Sequence, residues 1–568
     1  MTADASSQPA GRARADSTPD HRGGKWLPMP FIALGVSMII VDATIVNVAI
    51  PSMIRDIGLT TTDAEWVNSI YSLVFASLLL TTGRLGDIVG RRRVFLTGTI
   101  VFVAASLVAA ASHSADSVSV LIVGRILQGI GGAMILPSSL STVNAMYRGK
   151  DRAIAFAIWG STIGGTAALG PLLGGWLTTS FGWWWAFLIN LPIGLVIAFG
   201  LWRYVPETKD PDARRGIDVP GMLTSIVGLS ALVFALIEGQ RYGWWRPIAT
   251  FSAAGWDWPL HNVSPSGLAF VLFVGAFVTF LLVEPQRARQ GKIVLLDFGL
   301  FGIATFRYGN VAALIVSLGE FGLLFALPLF LQSVLGYSAF DTGLVLLALA
   351  SGTFLAGPGA AQIATRFGGR TVVRLGLLLE VIGIAGIGVV VGVDTTGWTY
   401  VPWLVVYGLG VGFATAQLTG VIMADVPVEE SGQGSAMQST SRQVGAALGT
   451  AILGAVLVVS LGHGLQQRLL DLGVPLAEAE QISAVVRLQP TILATPPDLL
   501  VPGVPPLTPA VHAAADEAFV QATRNVAWVA AGWVVLGLIS TMLLPREAAS
   551  RGGTYAPAGP GVDAGVEG

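Results

Sequence analysis

The sequence contains no cysteine among its 568 residues. This absence excludes disulfide bonds, thiolate metal sites, iron–sulfur clusters and cysteine nucleophiles. Histidine is also scarce, because the chain has only five, each standing alone without the spacing of metal ligands. The few lysines do not lie in a G-x-x-x-x-G-K-[ST] loop that would bind ATP phosphates. We therefore expect no metal, no cofactor and no ATP site.

Charged residues are rare as well. They make up 12% of the chain, about half of the roughly 25% found in soluble domains. Hydrophobic residues make up 53%, and a soluble fold could not cover its surface with so few ionic groups, whereas a lipid bilayer accepts apolar surface. The formal net charge of −2 does not favour nucleic-acid binding, which uses basic patches. The composition therefore indicates a membrane protein rather than a soluble enzyme.

Fourteen apolar stretches follow one another along the chain, each close to the length of about 20 residues that spans a bilayer. Their approximate bounds are 31–50, 66–83, 94–112, 118–139, 153–178, 183–202, 219–238, 266–284, 308–332, 341–363, 372–393, 401–421, 434–460 and 524–544. The first stretch is long and runs into a second one, so we interpret it as an uncleaved span rather than a signal peptide. These stretches predict an all-α polytopic membrane protein.

The positions of the basic residues predict the orientation of these spans. With the N-terminus placed inside, 24 of the 32 Lys and Arg lie in cytoplasmic segments, as the positive-inside rule requires. If the assignment of inside and outside were shifted by one span, most of the basic residues would lie outside. We therefore expect both termini in the cytoplasm.

The spans are grouped as six, two and six. We expect disordered cytoplasmic ends at 1–25 and 547–568, an N-terminal six-helix half at 26–205, a linker with two extra helices at 206–300, and a C-terminal six-helix half at 301–546. Two external loops are predicted, 239–265 with four tryptophans and 461–523 with seven prolines between 490 and 509. Neither loop contains a recognisable catalytic arrangement, so we do not expect an enzyme.

Five ionisable residues lie inside the apolar spans. A charge at membrane depth costs several kcal/mol, so such a residue is a functional candidate. The carboxylates are Asp42, Glu320 and Glu380, and the cations are Arg125 and Arg442. Alternatively, Asp42 pairs with an arginine or lies in a wet crevice for structural reasons only. Glu238 and Asp425 stand at span ends, where we expect both to be solvated.

Buried carboxyl groups can exchange protons. Burial favours the neutral form of a carboxylic acid, and a nearby arginine favours the charged form. A site that alternates between these environments takes up a proton and then releases it, and a cationic substrate could displace that proton. An ion gradient is then the economical energy source, because one charge crossing 100 mV supplies about 2.3 kcal/mol.

The segment between the second and third spans reads Gly-Arg-Leu-Gly-Asp-Ile-Val-Gly-Arg-Arg-Arg over residues 83–93. Its glycines permit a tight turn and close approach of helices, and its aspartate can cap a neighbouring helix N-terminus. The segment resembles the cytoplasmic loop signature of the major facilitator superfamily. A second copy after the tenth span, residues 364–370, is degenerate, with Arg366 where the first copy has aspartate. The residues matching the signature are Gly83, Arg84, Gly86, Asp87, Gly90, Arg91 and Arg92.

Three further segments are similar to motifs of the fourteen-helix drug:proton antiporters, the EmrB/QacA-like branch. Residues 41–51 resemble the first-span signature and include Asp42, and residues 124–131 resemble the fourth-span motif, whose arginine, here Arg125, is linked in the family to proton coupling. The fifth-span antiporter motif is matched by Gly170, Pro171, Gly174 and Gly175, although Thr166 stands where the family often has glycine. Residues 187–194 and 442–445 also resemble this branch. The resemblance implies the major facilitator fold and export of small molecules.

The sequence predicts a proton-driven antiporter that exports small amphipathic or cationic compounds by alternating access of two halves about a midplane site. We expect a monomer that binds protons, a small-molecule substrate and the cell-membrane bilayer. One alternative is a proton-coupled importer on the same fold. A second is a sensor or membrane enzyme that uses the 461–523 loop.

Overall fold

The computed structural model describes residues 24–59, 61–167, 169–209, 216, 218–253, 256–260, 262–488 and 508–545. The predicted cytoplasmic ends 1–25 and 547–568 therefore lie almost wholly outside the described residues, as does most of the proline-rich part of 461–523.

The chain forms seventeen α-helices and one two-stranded hairpin in the ranges described. The helices are α1 (Pro28–Ile57), α2 (Thr61–Val89), α3 (Arg91–Ala115), α4 (Val118–Met146), α5 (Gly149–Ala167), α6 (Leu169–Ser180), α7 (Trp185–Leu188), α8 (Asn190–Tyr204), α9 (Val219–Tyr242), α10 (Pro265–Arg289), α11 (Ala304–Ser333), α12 (Ala339–Phe367), α13 (Gly369–Val390), α14 (Gly397–Ile422), α15 (Ser431–Asp471), α16 (Leu476–Leu488) and α17 (Pro509–Ser540), and the strands are β1 (Ser252–Ala253) and β2 (Trp256–Asp257). Thirteen spans in these ranges are long and apolar enough to cross a membrane, and the bent pair α5–α6 makes a fourteenth. The predicted all-α polytopic architecture is confirmed.

Local sequence sets several helix ends. Proline stands in the first turn of α1, α9, α10 and α17, where its missing N–H costs no hydrogen bond. The side chains of Asp218, Ser264 and Thr508 accept hydrogen bonds from backbone N–H groups in the first turns of α9, α10 and α17. Such caps satisfy donors that a helix start leaves free.

The predicted fifth span is bent. Helices α5 and α6 meet at an angle of 44°, and Pro171 lies in the first turn of α6. Because proline has no N–H, it cannot bond the carbonyl of Ala167, four residues earlier, and its ring crowds that carbonyl. Pro171 therefore accounts for the bend between α5 and α6.

The two halves meet at several helix pairs. Helices α5 and α6 of the N-terminal half pack on α12, α5 also packs on α14, and α2 packs on α15. We call the end of the bundle that carries residues 89–91 the motif end. The start of α15 and the end of α14 lie at this same end, because Gly432 and Asp87 are in contact there.

The two extra helices, α9 and α10, stand at the side of this arrangement. They pack on each other, and α9 also contacts α2 and α15. Only 17% of the most apolar window of α10 is buried, whereas the other helices that form single spans have 39% to 67% buried. Helix α10 therefore presents most of its surface to the outside of the bundle.

The predicted loop at 461–523 is mostly helical where it is described, so that expectation is wrong. Helix α15 continues to Asp471, α16 packs against it, and α17 already begins at Pro509. Leu465, Leu469 and Ala479 are fully buried in this region, and their burial stabilises helices that extend beyond the apolar stretches. In the 239–265 loop, α9 runs on to Tyr242, and β1 and β2 form a short antiparallel hairpin.

Candidate functional site

Asp42 lies at the centre of a buried polar cluster in the N-terminal half. Its Oδ2 accepts a hydrogen bond of 2.6 Å from Nη1 of Arg125, and its Oδ1 accepts bonds of 2.8 Å from the side-chain amides of Gln128 and Asn190. Ser106 accepts from the same two amides. We call Asp42, Ser106, Arg125, Gln128 and Asn190 the N-half cluster.

Arg125 is fixed on several sides. Its Nε donates to the carbonyl of Val67 at 2.9 Å, and its guanidinium carbon lies 4.3 Å from the ring centre of Tyr71. The side chains of Asp42 and Arg125 are both fully buried. Removing one partner from a buried ion pair costs about 3–5 kcal/mol because the other charge is left uncompensated. Loss of either partner alone would therefore destabilise the N-terminal half.

A second cluster lies in the C-terminal half and is held more loosely. Glu320 Oε2 is 3.5 Å from Nη2 of Arg442, and the hydroxyl of Thr415 is 3.4 Å from Glu320 Oε1. Arg442 Nη1 is also 3.4 Å from the Thr415 hydroxyl. These distances are at the long limit for hydrogen bonds. With Glu380 and Tyr407, these residues form what we call the C-half cluster.

Glu380 is the carboxyl group of this cluster that lacks partners. It is fully buried, and neither of its side-chain oxygens has a hydrogen-bond partner among the described residues. It packs closely against Gly410, where a Cβ would lie 2.7 Å from its Cγ. Tyr407 donates instead to the backbone carbonyl of Glu320 at 3.1 Å. The C-half cluster thus holds two carboxyl groups and one guanidinium.

Asp42 and Glu320 occupy matching depths in the two halves. Asp42 follows the start of α1 by 14 residues, and Glu320 follows the start of α11 by 16 residues, in helices of 30 residues each. At 1.5 Å per residue, both carboxylates lie about 20–25 Å from the start of their helix. The structure therefore places both near the middle of the first helix of a half.

Asp87 joins the two halves at the motif end. Its Oδ1 accepts from the backbone N–H of Gly432 at 2.8 Å, and its Oδ2 accepts from that of Gln433 at 3.0 Å. Both donors belong to the first turn of α15, where N–H groups lack partners within the helix and the helix dipole favours an anion. Asp87 is thus found capping a neighbouring helix, and that helix belongs to the opposite half.

Arg91 completes this contact from inside the protein. Only 1% of its side chain is exposed, and it pairs with Asp87 at 2.9 Å. It also donates to the carbonyl of Val428 at 2.6 Å, in the segment that precedes α15. We call Asp87, Arg91, Val428, Gly432 and Gln433 the motif-end clasp.

The other residues of the 83–93 segment support the clasp. A Cβ at Gly83 would lie 2.6 Å from the carbonyl oxygen of Gly432, so only glycine allows this approach. Gly90 has a φ of +119°, which L side chains rarely adopt, and Gly86 lies in the last turns of α2. Arg92 is close to Glu207 and donates to the carbonyl of Val205 at 3.2 Å. Arg84 is half-buried beside the clasp.

The glycine-rich segment of α6 lies between two helices. A Cβ at Gly170 would overlap the Thr44 hydroxyl of α1, and one at Gly174 would lie 3.1 Å from Ile45. On the other side, a Cβ at Gly175 would lie 3.2 Å from Phe340 of α12. The small residues of this motif therefore permit close packing of α6 with both halves.

Two carboxylates at span ends have different surroundings. Asp425 is exposed, as expected, and accepts from the Thr305 hydroxyl at 2.8 Å. The expected solvation of Glu238 is wrong, because only 3% of Glu238 is exposed. It accepts a hydrogen bond from Ser69 of α2. Glu238 is buried because α9 packs on α2. This contact joins distant parts of the chain, and it cannot be predicted from the position of Glu238 at the end of a span.

The structure adds residues that the sequence analysis did not assign. Asn190 and Gln128 lie in segments quoted for their resemblance, and a lone amide within an apolar stretch is a signal for a polar contact at depth. Ser106, Thr415 and Tyr407 carry no such signal, because small hydroxyl residues and tyrosine are common in any span. Only the fold brings them to the carboxylates.

These features define a polytopic membrane protein with charged groups buried in each half and a contact between halves at one end. The profile of the Major Facilitator Superfamily matches residues 32–450. The chain belongs to the Major Facilitator Superfamily and is a multi-pass membrane transporter, not an enzyme.

Similar proteins include several transport and resistance proteins of bacteria. The chain is 32% identical over 451 residues to the probable actinorhodin transporter of Streptomyces coelicolor, covering 77% of this chain and 73% of that protein. It is 28% identical over 552 residues to the tetracenomycin C resistance and export protein of Streptomyces glaucescens, covering 96% of each. It is 32% identical over 432 residues to the multidrug efflux pump LfrA of Mycolicibacterium smegmatis, covering 76% and 80%.

Two solved structures share the fold at low sequence identity. The human organic anion transporter MFSD10 (TETRAN) gives a TM-score of 0.52 at 14% identity, covering 84% of this chain and all of that one. A bacterial homolog of the human lysosomal transporter Spinster gives a TM-score of 0.50 at 16% identity, covering 92% and 97%. Both likenesses concern the fold alone.

Proposed function

We propose that this transporter exports small amphipathic or cationic compounds in exchange for protons, with the motif end in the cytoplasm. Export is supported by the relatives named for export, efflux or antibiotic resistance. Proton exchange is supported by three carboxyl groups buried at membrane depth in a chain whose described residues hold no group of three or more possible metal ligands.

The observation that carries the proposal is the unequal pairing of those carboxyl groups. Asp42 has three side-chain donors at 2.6–2.8 Å, Glu320 has one guanidinium at 3.5 Å, and Glu380 has no partner among the described residues. Donors and cations favour a carboxylate, whereas burial without them favours the protonated acid. The C-half cluster therefore favours proton uptake. In the N-half cluster Asp42 stays charged while it is paired, and its carboxylate becomes free when the pair with Arg125 opens.

Arg442 provides the link between proton and substrate in this scheme. Its guanidinium interacts with both acids of the C-half cluster, and 11% of its side chain is exposed. An organic cation that approaches Glu320 would compete with Arg442 and with the proton for the same oxygens. Binding of the cation then releases the proton, which is the exchange that an antiporter requires.

The experiment uses everted membrane vesicles with an acidic interior and ethidium as the cationic probe. An antiporter accumulates ethidium in the vesicles, and a protonophore abolishes the accumulation, whereas a proton-coupled importer does not accumulate it. Asp42→Asn and Glu320→Gln should lose this accumulation while the protein remains inserted. Asp56→Asn, on the exposed part of the same helix as Asp42, is the matched control and should behave as the parent.

Normal gradient-driven accumulation in both Asp42→Asn and Glu320→Gln would refute the assigned roles. The sensor alternative makes the opposite prediction, because deletion of 476–488, the helix α16, would then abolish function while Asp42→Asn would not.

A further inference from the structure

Two carboxyl groups meet where the extra helix pair joins the motif end. Asp218 caps the start of α9, where its Oδ1 accepts from the backbone N–H of Gly221 at 3.3 Å, and Glu284 lies in the last turns of α10. The two side chains are hydrogen-bonded to each other, and a Cβ at Gly221 would overlap an oxygen of each. Both residues are buried. We call Asp218 and Glu284 the acid pair.

The hydrogen bond within the acid pair requires a proton. Two ionised carboxyl groups are both acceptors, so one of the two must carry the donor. Oε1 of Glu284 is buried and receives no donor from another described residue, whereas Asp218 Oδ1 pairs with Nη2 of Arg287 at 3.0 Å. Cations and N–H donors favour the charged form of an acid. The arrangement therefore places the charge on Asp218 and the proton on Glu284.

The acid pair holds the segment that precedes α11. The backbone N–H of Leu295 lies 3.1 Å from Asp218 Oδ2 and 3.0 Å from Glu284 Oε2. The N–H of Leu296 lies 3.5 Å from the same oxygen of Glu284, and both leucines are buried. The segment is thus fixed to α9 and α10 together, which requires the two acids to stay side by side.

The same segment continues to the motif-end clasp. The backbone N–H of Asp297 donates to Gln433 Oε1 at 2.7 Å, and the N–H of Gln433 donates to Asp87 at 3.0 Å. Hydrogen bonds therefore lead from the acid pair through residues 295–297 to the first turn of α15. Gln433 is buried, so a shift of Asp297 would leave a buried amide oxygen without its donor, which is unfavourable.

We propose that the acid pair is a proton-binding site that controls the motif-end clasp. With the proton, Glu284 donates to Asp218, and the two acids hold residues 295–297 and, through them, Gln433. When the proton leaves, two adjacent carboxylates repel each other, the segment shifts and the clasp loosens. Opening of the motif end then depends on the pH at that side of the membrane. This control is separate from the proposed exchange of protons for substrate, because neither acid belongs to the N-half or C-half cluster.

Other charged groups stand on the elements around the acid pair. Arg287 is the cation that contacts it, while Arg289 and Lys292 are exposed. The side chain of Asp297 accepts from a backbone N–H two residues further on. Burial raises the pKa of Glu430, before α15, to about 7, and the charge of Asp297 contributes. Glu430 therefore also titrates near the clasp, and the experiment must separate it from the acid pair.

The test measures the separation of the halves at the motif end by pulsed electron paramagnetic resonance. Spin labels are attached to Arg203→Cys and Phe367→Cys, at exposed positions at the ends of α8 and α12. The full chain is held in lipid nanodiscs, with the same pH on both sides. Between pH 6 and pH 9 we expect the ratio of the longer to the shorter distance to rise by up to about tenfold per pH unit, the limit for one proton.

Glu284→Gln removes the titration but keeps an N–H donor where the proton was. We expect this variant to keep the shorter distance at every pH. Asp425→Asn, exposed at the same end, is the matched control and should respond to pH as the parent does. Glu430→Gln should keep most of the response. A response that is unchanged in Glu284→Gln, or that disappears only in Glu430→Gln, would overturn the proposal, and so would a longer distance in Glu284→Gln at every pH.

Infrared spectroscopy provides a second test, which detects the proton itself. A protonated carboxyl group has a carbonyl band that the carboxylate lacks, so the parent should lose intensity in this band between pH 6 and pH 9. Glu284→Gln should lose less by one carboxyl group, and Asp425→Asn should match the parent. Equal spectral changes in the parent and in Glu284→Gln would show that the acid pair releases no proton in this range, and the proposal would be wrong. Because no gradient is applied, these results are independent of ethidium antiport.

Discussion

Asp87 Oδ1 lies 2.8 Å from the backbone nitrogen of Gly432, although the two residues are 345 positions apart in the sequence. This contact ties the last turn of α2 to the first turn of α15, and so it joins the two halves at the motif end. Arg91 neutralises the buried carboxylate from the other side. The closed arrangement at this end therefore depends on one charge meeting a helix N-terminus.

We expect Asp87→Asn to open the motif end. Asparagine keeps the size of the side chain but places an amide donor against N–H donors and leaves the buried Arg91 without its counter-charge. Ser431 is fully buried and accepts a hydrogen bond from Asn144 of the opposite half at 2.8 Å. Since the natural chain has no cysteine, a single Ser431→Cys change reports separation of the halves through its reaction with a water-soluble maleimide.

The rate of that reaction should rise about tenfold in Asp87→Asn, which corresponds to a shift of 1.4 kcal/mol toward the open form. Asp425→Asn is the matched control, because Asp425 is exposed at the same end. Substrate binding should persist in Asp87→Asn while turnover falls, and loss of binding would contradict the role given to the clasp.

Glu380→Gln and Asp42→Asn should differ in stability although both should lose proton coupling. Asp42→Asn leaves Arg125 buried without a counter-charge, and we expect a loss of about 3–5 kcal/mol in the free energy of unfolding. Glu380 has no partner to lose among the described residues. The free energy of unfolding of Glu380→Gln should therefore lie within about 1 kcal/mol of the parent's value. Thermal unfolding in detergent measures the difference.

Glu478→Gln, on the exposed face of α16, is the control for the glutamate change. A large loss of stability in Glu380→Gln would mean that this side chain has a partner that matters for folding, and its assignment as a free acid would then be wrong.

Gly170→Ala should destabilise the packing of α6. The added methyl group would overlap the hydroxyl of Thr44, and overpacking of this kind costs about 1–3 kcal/mol. Gly532→Ala is the control, because a Cβ there meets nothing within 4 Å. A lowered unfolding temperature for Gly170→Ala alone is the expected result, and equal unfolding temperatures would show that α1 and α6 adjust without cost.

Glu430, just before α15, should make stability depend on pH. Burial raises the pKa of its carboxyl group to about 7, with further contributions from the negative charges of Asp297 and Asp87, while Arg84 acts in the opposite direction. The folded protein then holds this proton more tightly than the unfolded chain, whose glutamate titrates near 4.5. The free energy of unfolding should therefore fall as the pH rises from about 4.5 to about 7.

Glu430→Gln should flatten this part of the pH profile, and unfolding measured between pH 5 and pH 8 checks it. Glu429→Gln, at the exposed neighbouring position, removes the weakest of the charges that act on Glu430 and should change the profile much less than Glu430→Gln does. A profile that is unchanged in Glu430→Gln would assign the titration to another group.

The sequence predicts the spans well because lipid imposes a length and a composition on each of them. It also predicts that Asp87 caps a neighbouring helix and that Asp42 lies inside the first span. A carboxylate in an apolar span, or next to a helix start, has few other roles. It leaves open whether Asp42 pairs with an arginine. That Arg125 is the partner, and that Asn190 and Ser106 join it, depends on packing of α1, α3, α4 and α8.

Two errors have the same physical cause. Glu238 was expected in water because it ends an apolar stretch, yet α9 continues for another turn and packs on α2. The segment 461–471 was expected to be a loop because its hydropathy falls, yet α15 continues through it with Leu465 and Leu469 buried. Hydropathy reports contact with lipid, whereas these helices are stabilised by contact with other helices.

Helix α15 is a single rod of 41 residues, about 60 Å long and roughly twice the thickness of the hydrocarbon layer. Its first turn is held by Asp87, and its far end carries α16. If the rod pivots by about 10° at its midpoint, each end moves by about 5 Å, so it acts as a lever that transmits a release at one membrane face to the other face as an equal displacement in the opposite direction. Spin labels at Leu472 and Asp116 would record that displacement as a changed distance when Asp87 is replaced, and an unchanged distance would mean that the rod bends instead of tilting.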